Sequence, residues 1–385
     1  MQFFDNILAH YGWQGLALLG VFITLFAVQF YYYAIAYNRI YNFRLVRTLK
    51  KRCSDPGVSV IIALRGENEY FLSHELPTIL AQEYDYYEVV VVYIGGDADF
   101  YGELQRMREV HPHLRLTKMG GNERLYITTK QALNVGIKSA QYDNFLFTMP
   151  GSLPRSEQWV KVMSRGFERG MVVVGPSVPA IEEAGFRPTL MRLTEMHRSR
   201  NAFAQAVSGR FYWAPRSNFG FTRKLYNSTR GFDHLNLDLG ENDLYMQAIA
   251  NPRRTAVVLS PHAVTVEERP SEWRDWLELT RYNDTTLAYY PTSYKTFRNW
   301  ERYSRMLFFL VALVALVVLP TELKIGVMVA TIVRYLIVVW SSRRTAHKLG
   351  ENNIAWRYWI YDLIGPVVDL IIERRSSRET ASAWR

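Results

Sequence analysis

Residues 58–64, Val-Ser-Val-Ile-Ile-Ala-Leu, and residues 88–93, Glu-Val-Val-Val-Val-Tyr, are short runs dominated by β-branched apolar side chains. Between them, residues 70–82 carry a helix-compatible pattern. A strand that is apolar on both faces needs cover on both, which is the situation of a parallel sheet with helices on either side. The two runs and their connecting helix therefore read as a βαβ unit. Further strands are expected at 114–119, 144–148, 171–175 and 256–260, with helices at 129–140 and 157–169. The alternation predicts an α/β fold, with a mostly parallel sheet and helices on both faces. Ligands of such sheets lie beyond the carboxyl ends of the strands, so the residues just after Leu64, Tyr93 and Thr148 face the expected crevice.

Outward from this core, composition narrows the class. At 49% hydrophobic and 21% charged, the 385 residues are neither disordered nor fibrous. The single cysteine, Cys53, excludes an internal disulfide framework and any paired-cysteine metal or redox site. A formal charge of +10 is compatible with nucleic acid, anionic lipid or a phosphorylated substrate. Its placement favours lipid, because the basic residues cluster beside apolar segments and the central domain shows no basic, aromatic-interleaved motif. No nucleic-acid partner is expected.

Residues 15–36 (GLALLGVFITLFAVQFYYYAIA) are long enough to cross the roughly 30 Å hydrocarbon layer as a helix. The run is too long for a signal peptide and lacks a basic leader, and Tyr31, Tyr32 and Tyr33 suit a membrane interface. Arg39, Arg44, Arg47, Lys50, Lys51 and Arg52 follow it, with no acidic residue in 38–52. The positive-inside rule then places the N-terminus outside and the central domain in the cytoplasm. Near the other end, residues 306–319 and 325–341 are two apolar segments joined by a short turn, a membrane hairpin. Each is short for a full crossing, and Arg334 in the second requires a re-entrant path, snorkelling or a protein-facing position. Residues 354–372 are apolar but carry Arg357, Asp362 and Asp369, and are expected to lie in the interface. The expected divisions are an anchor (1–37), a basic linker (38–56), a cytoplasmic domain (57–300), a membrane hairpin (301–342), and an interfacial helix with a basic tail (343–385).

Five segments resemble, in the same order, those of the family 2 glycosyltransferases of the GT-A fold in their bacterial membrane-anchored form. They are PGVSVIIALRGENEYFLSHELPTILAQEYDYYEVVVV, KQALNVGIKSAQYDNFLFT, SNFGFTRKLYNSTRGF, LGENDLYMQAIA and SEWRDWLELTRYNDTT. The resemblance implies transfer of a sugar from a nucleotide-diphosphate donor to a hydroxyl, with inversion, at the bacterial inner membrane. A lipid-linked glycan at the inner leaflet is the natural acceptor. Such chemistry needs a carboxylate to take the acceptor proton. It also needs charge to offset the leaving diphosphate, usually supplied by a divalent cation on an Asp-x-Asp motif.

On that resemblance, Glu241 aligns with the catalytic carboxylate and Asp243 with a second acid. Arg65, Glu67, Tyr93, Asp97, Lys130, Thr148 and Arg281 fall on the donor side, Tyr93 offering a ring for a base and Arg281 a cation in place of a metal. Asn218, Arg223, Trp273 and Trp276 fall on the acceptor side. The metal motif falls on Thr148-Met149-Pro150-Gly151, which has neither carboxylate, so no metal and no cofactor is expected. Two readings follow: a metal-independent transferase, or an inactive paralogue that scaffolds a partner glycosyltransferase in cell-envelope glycan assembly. A processive synthase is the weakest reading, since no Gln-x-x-Arg-Trp motif is present.

Overall fold

The computed structural model describes residues 2–44, 55–120, 127–181, 184–229, 231–232, 239–351 and 354–382, with side chains from residue 12 to residue 373. Arg47, Lys50, Lys51, Arg52 and Cys53 lie outside the described residues.

Helix α1 (Gln2–Phe30) runs through a π-turn (Tyr31–Ala36) into α2 (Asn38–Asn42). The domain then begins with β1 (Val58–Arg65), α3 (Leu76–Leu80), β2 (Tyr87–Ile94), α4 (Ala98–Val110), β3 (Leu114–Met119) and α5 (Thr129–Ser139). It continues with β4 (Asn144–Phe147), β5 (Ser152–Pro154), α6 (Trp159–Phe167), β6 (Val172–Val174), β7 (Ser177–Ala180) and the long α7 (Phe186–Val207). After these come β8 (Phe219–Thr222), α8 (Arg223–Asn227), α9 (Leu244–Ile249), β9 (Thr255–Val257), β10 (Thr265–Glu268) and α10 (Trp273–Asn283). Three helices close the chain: α11 (Thr292–Val318), α12 (Thr321–Leu349) and α13 (Tyr358–Ser382).

The main sheet has the order β3-β2-β1-β4-β8-β6-β9 and is parallel except where β8 runs against β4 and β6. Alternate residues of the opening runs supply two cores. Val60, Ile62, Val89 and Val91 pack with Leu76, Ile79 and Trp159 on one face. Ile61, Val90 and Val92 pack with Ala132, Leu133 and Ile137 on the other. Gly136 lets α5 lie this close, since a Cβ there would meet Ile61 Cγ2 at 2.5 Å. A second, three-stranded sheet, β5-β10-β7, stands beyond the carboxyl end of β4.

Among the described residues, two helices are long and apolar enough to cross a membrane, residues 12–42 and 321–349. The apolar segments expected to be short for a crossing sit inside longer helices, because their polar flanks continue the helical backbone; α12 has 29 residues. Of the three alternatives for Arg334, the structure has it face protein: it is buried, ion-paired with Asp362 of α13, and donates to Gln29 Oε1 at 2.6 Å. Helix α13 buries Tyr358, Tyr361 and Asp362 while exposing Trp359, Leu363, Val367 and Ile371 on its other side.

Candidate active site

The antiparallel strand β8 determines what meets at the carboxyl end of β4. Phe219 pairs with Phe147, so the residues just before β8 arrive beside those just after β4. Met149, from one side, and Arg216, from the other, line a cavity of about 180 Å³. Helix α7 adds Glu195 and Arg198, the end of β10 adds Glu267, Glu268 and Arg269, and the α10–α11 region adds Asp284, Tyr290 and Arg298.

The charges are arranged in pairs. Arg216 Nε lies 2.7 Å from Glu241 Oε1, Arg269 Nη2 lies 2.5 Å from Glu267 Oε2, and Arg198 pairs with Asp284. Burial alone would raise the Glu267 carboxyl, but Arg269 and the hydroxyls of Ser217 and Ser177 outweigh it and hold the group below its ordinary value. Glu241 is buried and its Oε2 has no hydrogen-bond partner among the described residues. An unsatisfied carboxylate oxygen beside a cation is the chemistry of a proton acceptor. Glu241 itself does not line the cavity; its neighbours Arg216, Asn242 and Asp243 do.

Asp243 is differently engaged. It caps α9 through the Leu244 N–H at 2.6 Å and accepts from Tyr290 Oη at 2.7 Å and from Thr286. Burial raises its carboxyl, and these bonds offset the rise only in part.

The other sequence-selected residues divide by where their polar atoms go. Arg65, the last residue of β1, and Glu67 just after it are exposed and do not line the cavity; Arg65 donates to the Ile127 carbonyl. The Tyr93 ring has 1% of its surface exposed and stacks on Tyr101 at 5.9 Å, so it presents no open face to a base. Asp97 caps α4 through the Phe100 N–H at 2.6 Å. Lys130 is buried and donates to the Leu239 carbonyl at 2.9 Å, anchoring the turn before Glu241 instead of pointing at a diphosphate. Thr148 and Arg281 are buried. Asn218 donates to the carbonyls of Pro176 (2.7 Å) and Ala263 (2.6 Å) and accepts from Trp159 Nε1 (3.0 Å), which commits its whole amide to packing. Arg223 caps α5, donating to the carbonyls of Ile137, Ala140 and Tyr142. Trp276 is buried and donates to Glu195 Oε1 at 3.1 Å, with Trp273 packed on it at 5.1 Å.

The position of the family's metal motif has its own structure. Gly151, at φ 79°, donates its N–H to both oxygens of Glu75 at 3.0 Å. Burial, with Glu268 nearby, pushes the Glu75 carboxyl up to about 7. Glu267 is committed to Arg269 and Ser217, and among the described residues no group of three or more His, Cys, Asp or Glu converges as metal ligands. The side chains here do not fit a divalent cation of the family's kind.

Sequence reasoning missed Arg198, Arg216, Arg269, Arg298 and Glu267. A local signal existed for two of them: Arg216 directly precedes the SNFGF segment, and Arg269 lies two residues before the Trp-rich one.

No protein-family model matches the chain, and no curated relative matches it. Among solved structures, a mannosyltransferase from Pyrobaculum calidifontis, in complex with GDP-Man and Mn2+, is similar at 16% identity. That match covers 90% of this chain and 99% of that one, with a TM-score of 0.47. TarS of S. aureus is similar at 16% identity over 66% of this chain and 43% of that one, with a TM-score of 0.42. A structure of TarS 1–349 is similar at 14% identity over 85% and 92%, with a TM-score of 0.41. Likenesses at this level leave the site to be argued from its own geometry.

Proposed function

We propose that the chain is a membrane-anchored, inverting glycosyltransferase of the family 2 type that works without a divalent cation. It takes a nucleotide-diphosphate sugar and transfers the sugar to a glycan or lipid-linked acceptor at the cytoplasmic face of the bacterial inner membrane. The observation that carries the reading is the buried Glu241 with one free carboxylate oxygen, set against Arg216 on the wall of an arginine-lined cavity at the carboxyl end of β4. In this role Glu241 takes the acceptor proton, and Arg198, Arg216 and Arg269 face the leaving diphosphate. Asp243 keeps α9 and the α10–α11 connection in place around that carboxylate.

One observation favours the alternative of an inactive scaffold for a partner transferase. Arg198, Arg216 and Arg269 are each already neutralised by an acid, and the cavity of about 180 Å³ is smaller than the roughly 300 Å³ at which ligand pockets begin. Titration of the purified full chain with several nucleotide sugars, with and without Mn2+, separates the readings. The transferase binds a donor equally well in both conditions, and Glu241→Gln lowers turnover by roughly 100-fold or more with donor affinity retained. Metal-dependent binding overturns the cation-free site, and absence of binding to every donor favours the scaffold.

A further inference from the structure

Two further hollows open where the π-turn after α1 and the α2 segment meet the C-terminal end of α7. One, about 520 Å³, is lined by Phe43, Val207, Phe211 and Val257 together with the exposed Arg169 and Arg253. The other, about 160 Å³, is lined by Tyr31, Gln205 and Phe297 together with the exposed Arg39 and Arg210. They share Ser208, whose Oγ accepts from Arg39 Nη1 at 3.1 Å. Among the described residues no residue lining either hollow is acidic, and Arg39, Arg210 and Arg253 form no ion pair there, whereas in the acid-and-arginine cavity each of Arg198, Arg216 and Arg269 has its carboxylate. Gln205 is 3% exposed, and its Nε2 donor has no hydrogen-bond partner among the described residues. A buried donor left open in a polar-walled hollow marks a place for an acceptor that the protein does not supply.

We propose that these joined hollows hold the headgroup of an anionic phospholipid from the bilayer that α1 enters. The inference rests on the membrane reading of α1 given above. The phosphate meets Arg39 and Arg210, Gln205 Nε2 donates to a headgroup oxygen, and the start of the acyl chains runs along Phe43, Val207 and Phe211. Charge complementarity selects this occupant over a zwitterionic lipid, and the apolar lining selects a lipid over a free anion. The site lies back to back with the proposed active site. Phe211 lines the lipid hollow while Tyr212 and Trp213 line the cavity, and on α7 Ala202 faces the cavity while Ala204 to Val207 face the hollows. A bound headgroup therefore braces the segment that forms one cavity wall.

The test is native mass spectrometry of the full chain in neutral detergent, titrated with phosphatidylglycerol or phosphatidylcholine. The unmodified protein is expected to bind phosphatidylglycerol at least roughly tenfold more tightly than phosphatidylcholine. The Arg39→Gln/Arg210→Gln/Arg253→Gln variant is expected to lose that preference. Arg106→Gln/Arg108→Gln, on α4 against the opposite edge strand β3, keeps it. Equal affinity for the two lipids in the unmodified protein overturns the proposal whatever the variants do, as does an undiminished preference in a folded triple variant. Inorganic phosphate that binds the lipid-free protein as tightly as phosphatidylglycerol reassigns the hollows to a free anion and overturns it too. Alkaline carbonate extraction of membranes keeps the two readings apart. Release of the chain sinks the membrane anchor, whereas a retained chain that is blind to headgroup charge sinks only the lipid site.

Discussion

Glu75 accepts from the N–H of Gly151, one of the residues on which the metal-binding motif of the family that the sequence resembles falls. The buried carboxyl lies with both oxygens on one backbone N–H and has its pKa pushed from 4.5 to about 7 by desolvation and by Glu268. Because the folded-state value lies above the unfolded one, the native state holds the proton more tightly. Raising the pH from 4.5 to about 7 therefore removes native stability through this group, and above about 7 the loss is complete. The full effect is on the order of 3 kcal/mol. Glu75→Gln should flatten that part of the pH profile, read as melting temperature against pH in detergent for both proteins. Parallel profiles would show that the proton on Glu75 has no such role. Neighbouring residues teach the same lesson about polar side chains. Asn218 and Arg223 sit in segments that resemble an acceptor site, yet Asn218 donates to the carbonyls of Pro176 and Ala263, and Arg223 donates to carbonyls at the end of α5 and to the Asp143 carboxylate. Which polar group is spent on packing depends on partners distant in sequence.

Among the elements, α12 and α13 show how a charged residue enters an apolar helix. Arg334 and Asp362 are both buried and ion-paired, with Gln29 of α1 as a third partner. Removing one member leaves an unpaired buried charge, at a cost of about 3–5 kcal/mol, whereas an apolar pair of similar volume is often tolerated. Asp362→Leu should therefore lower the melting temperature sharply, and Arg334→Met/Asp362→Leu should recover most of the loss. A double variant as unstable as the single one would mean that packing, not charge, is decisive here. Helix α7, like α4, is an element that sequence periodicity did not reveal. It is buried around most of its circumference, and Glu195, Arg198 and Arg200 interrupt the apolar spacing that would mark it. Their partners lie largely outside α7: Arg198 on Asp284, Glu195 on Trp276, and Arg200 on Ser342 and Tyr358 as well as on His197 of α7 itself.

For the whole molecule, the proposed arrangement has α1 entering the membrane from outside, with the sheet domain in the cytoplasm. In a Cys53→Ser background, Trp13→Cys should react with a membrane-impermeant maleimide in spheroplasts, and Arg106→Cys only after permeabilisation. The reverse pattern would invert the topology. Much of the main sheet was legible in advance because β1, β2 and β6 carry their own evidence, β-branched runs buried almost throughout, whereas the antiparallel β8 was not anticipated. Residues 114–119 and 144–148 also fall on β3 and β4, although β3 (LRLTKM) is only partly buried and β4 (NFLF) holds no β-branched residue. The small sheet β5-β10-β7 was not legible, since its strands are three or four residues long and take their pairing from chain neighbours about 90 to 110 residues apart. The sequence alone determined the α/β alternation, the long apolar run at residues 15–36 and the missing acids at residues 148–151. Tertiary structure decided which arginines meet which acids and which face of Tyr93 is covered, and it left one oxygen of Glu241 without a hydrogen-bond partner among the described residues. Periodicity is a local property of the chain, whereas satisfying a buried charge requires two segments to meet in space.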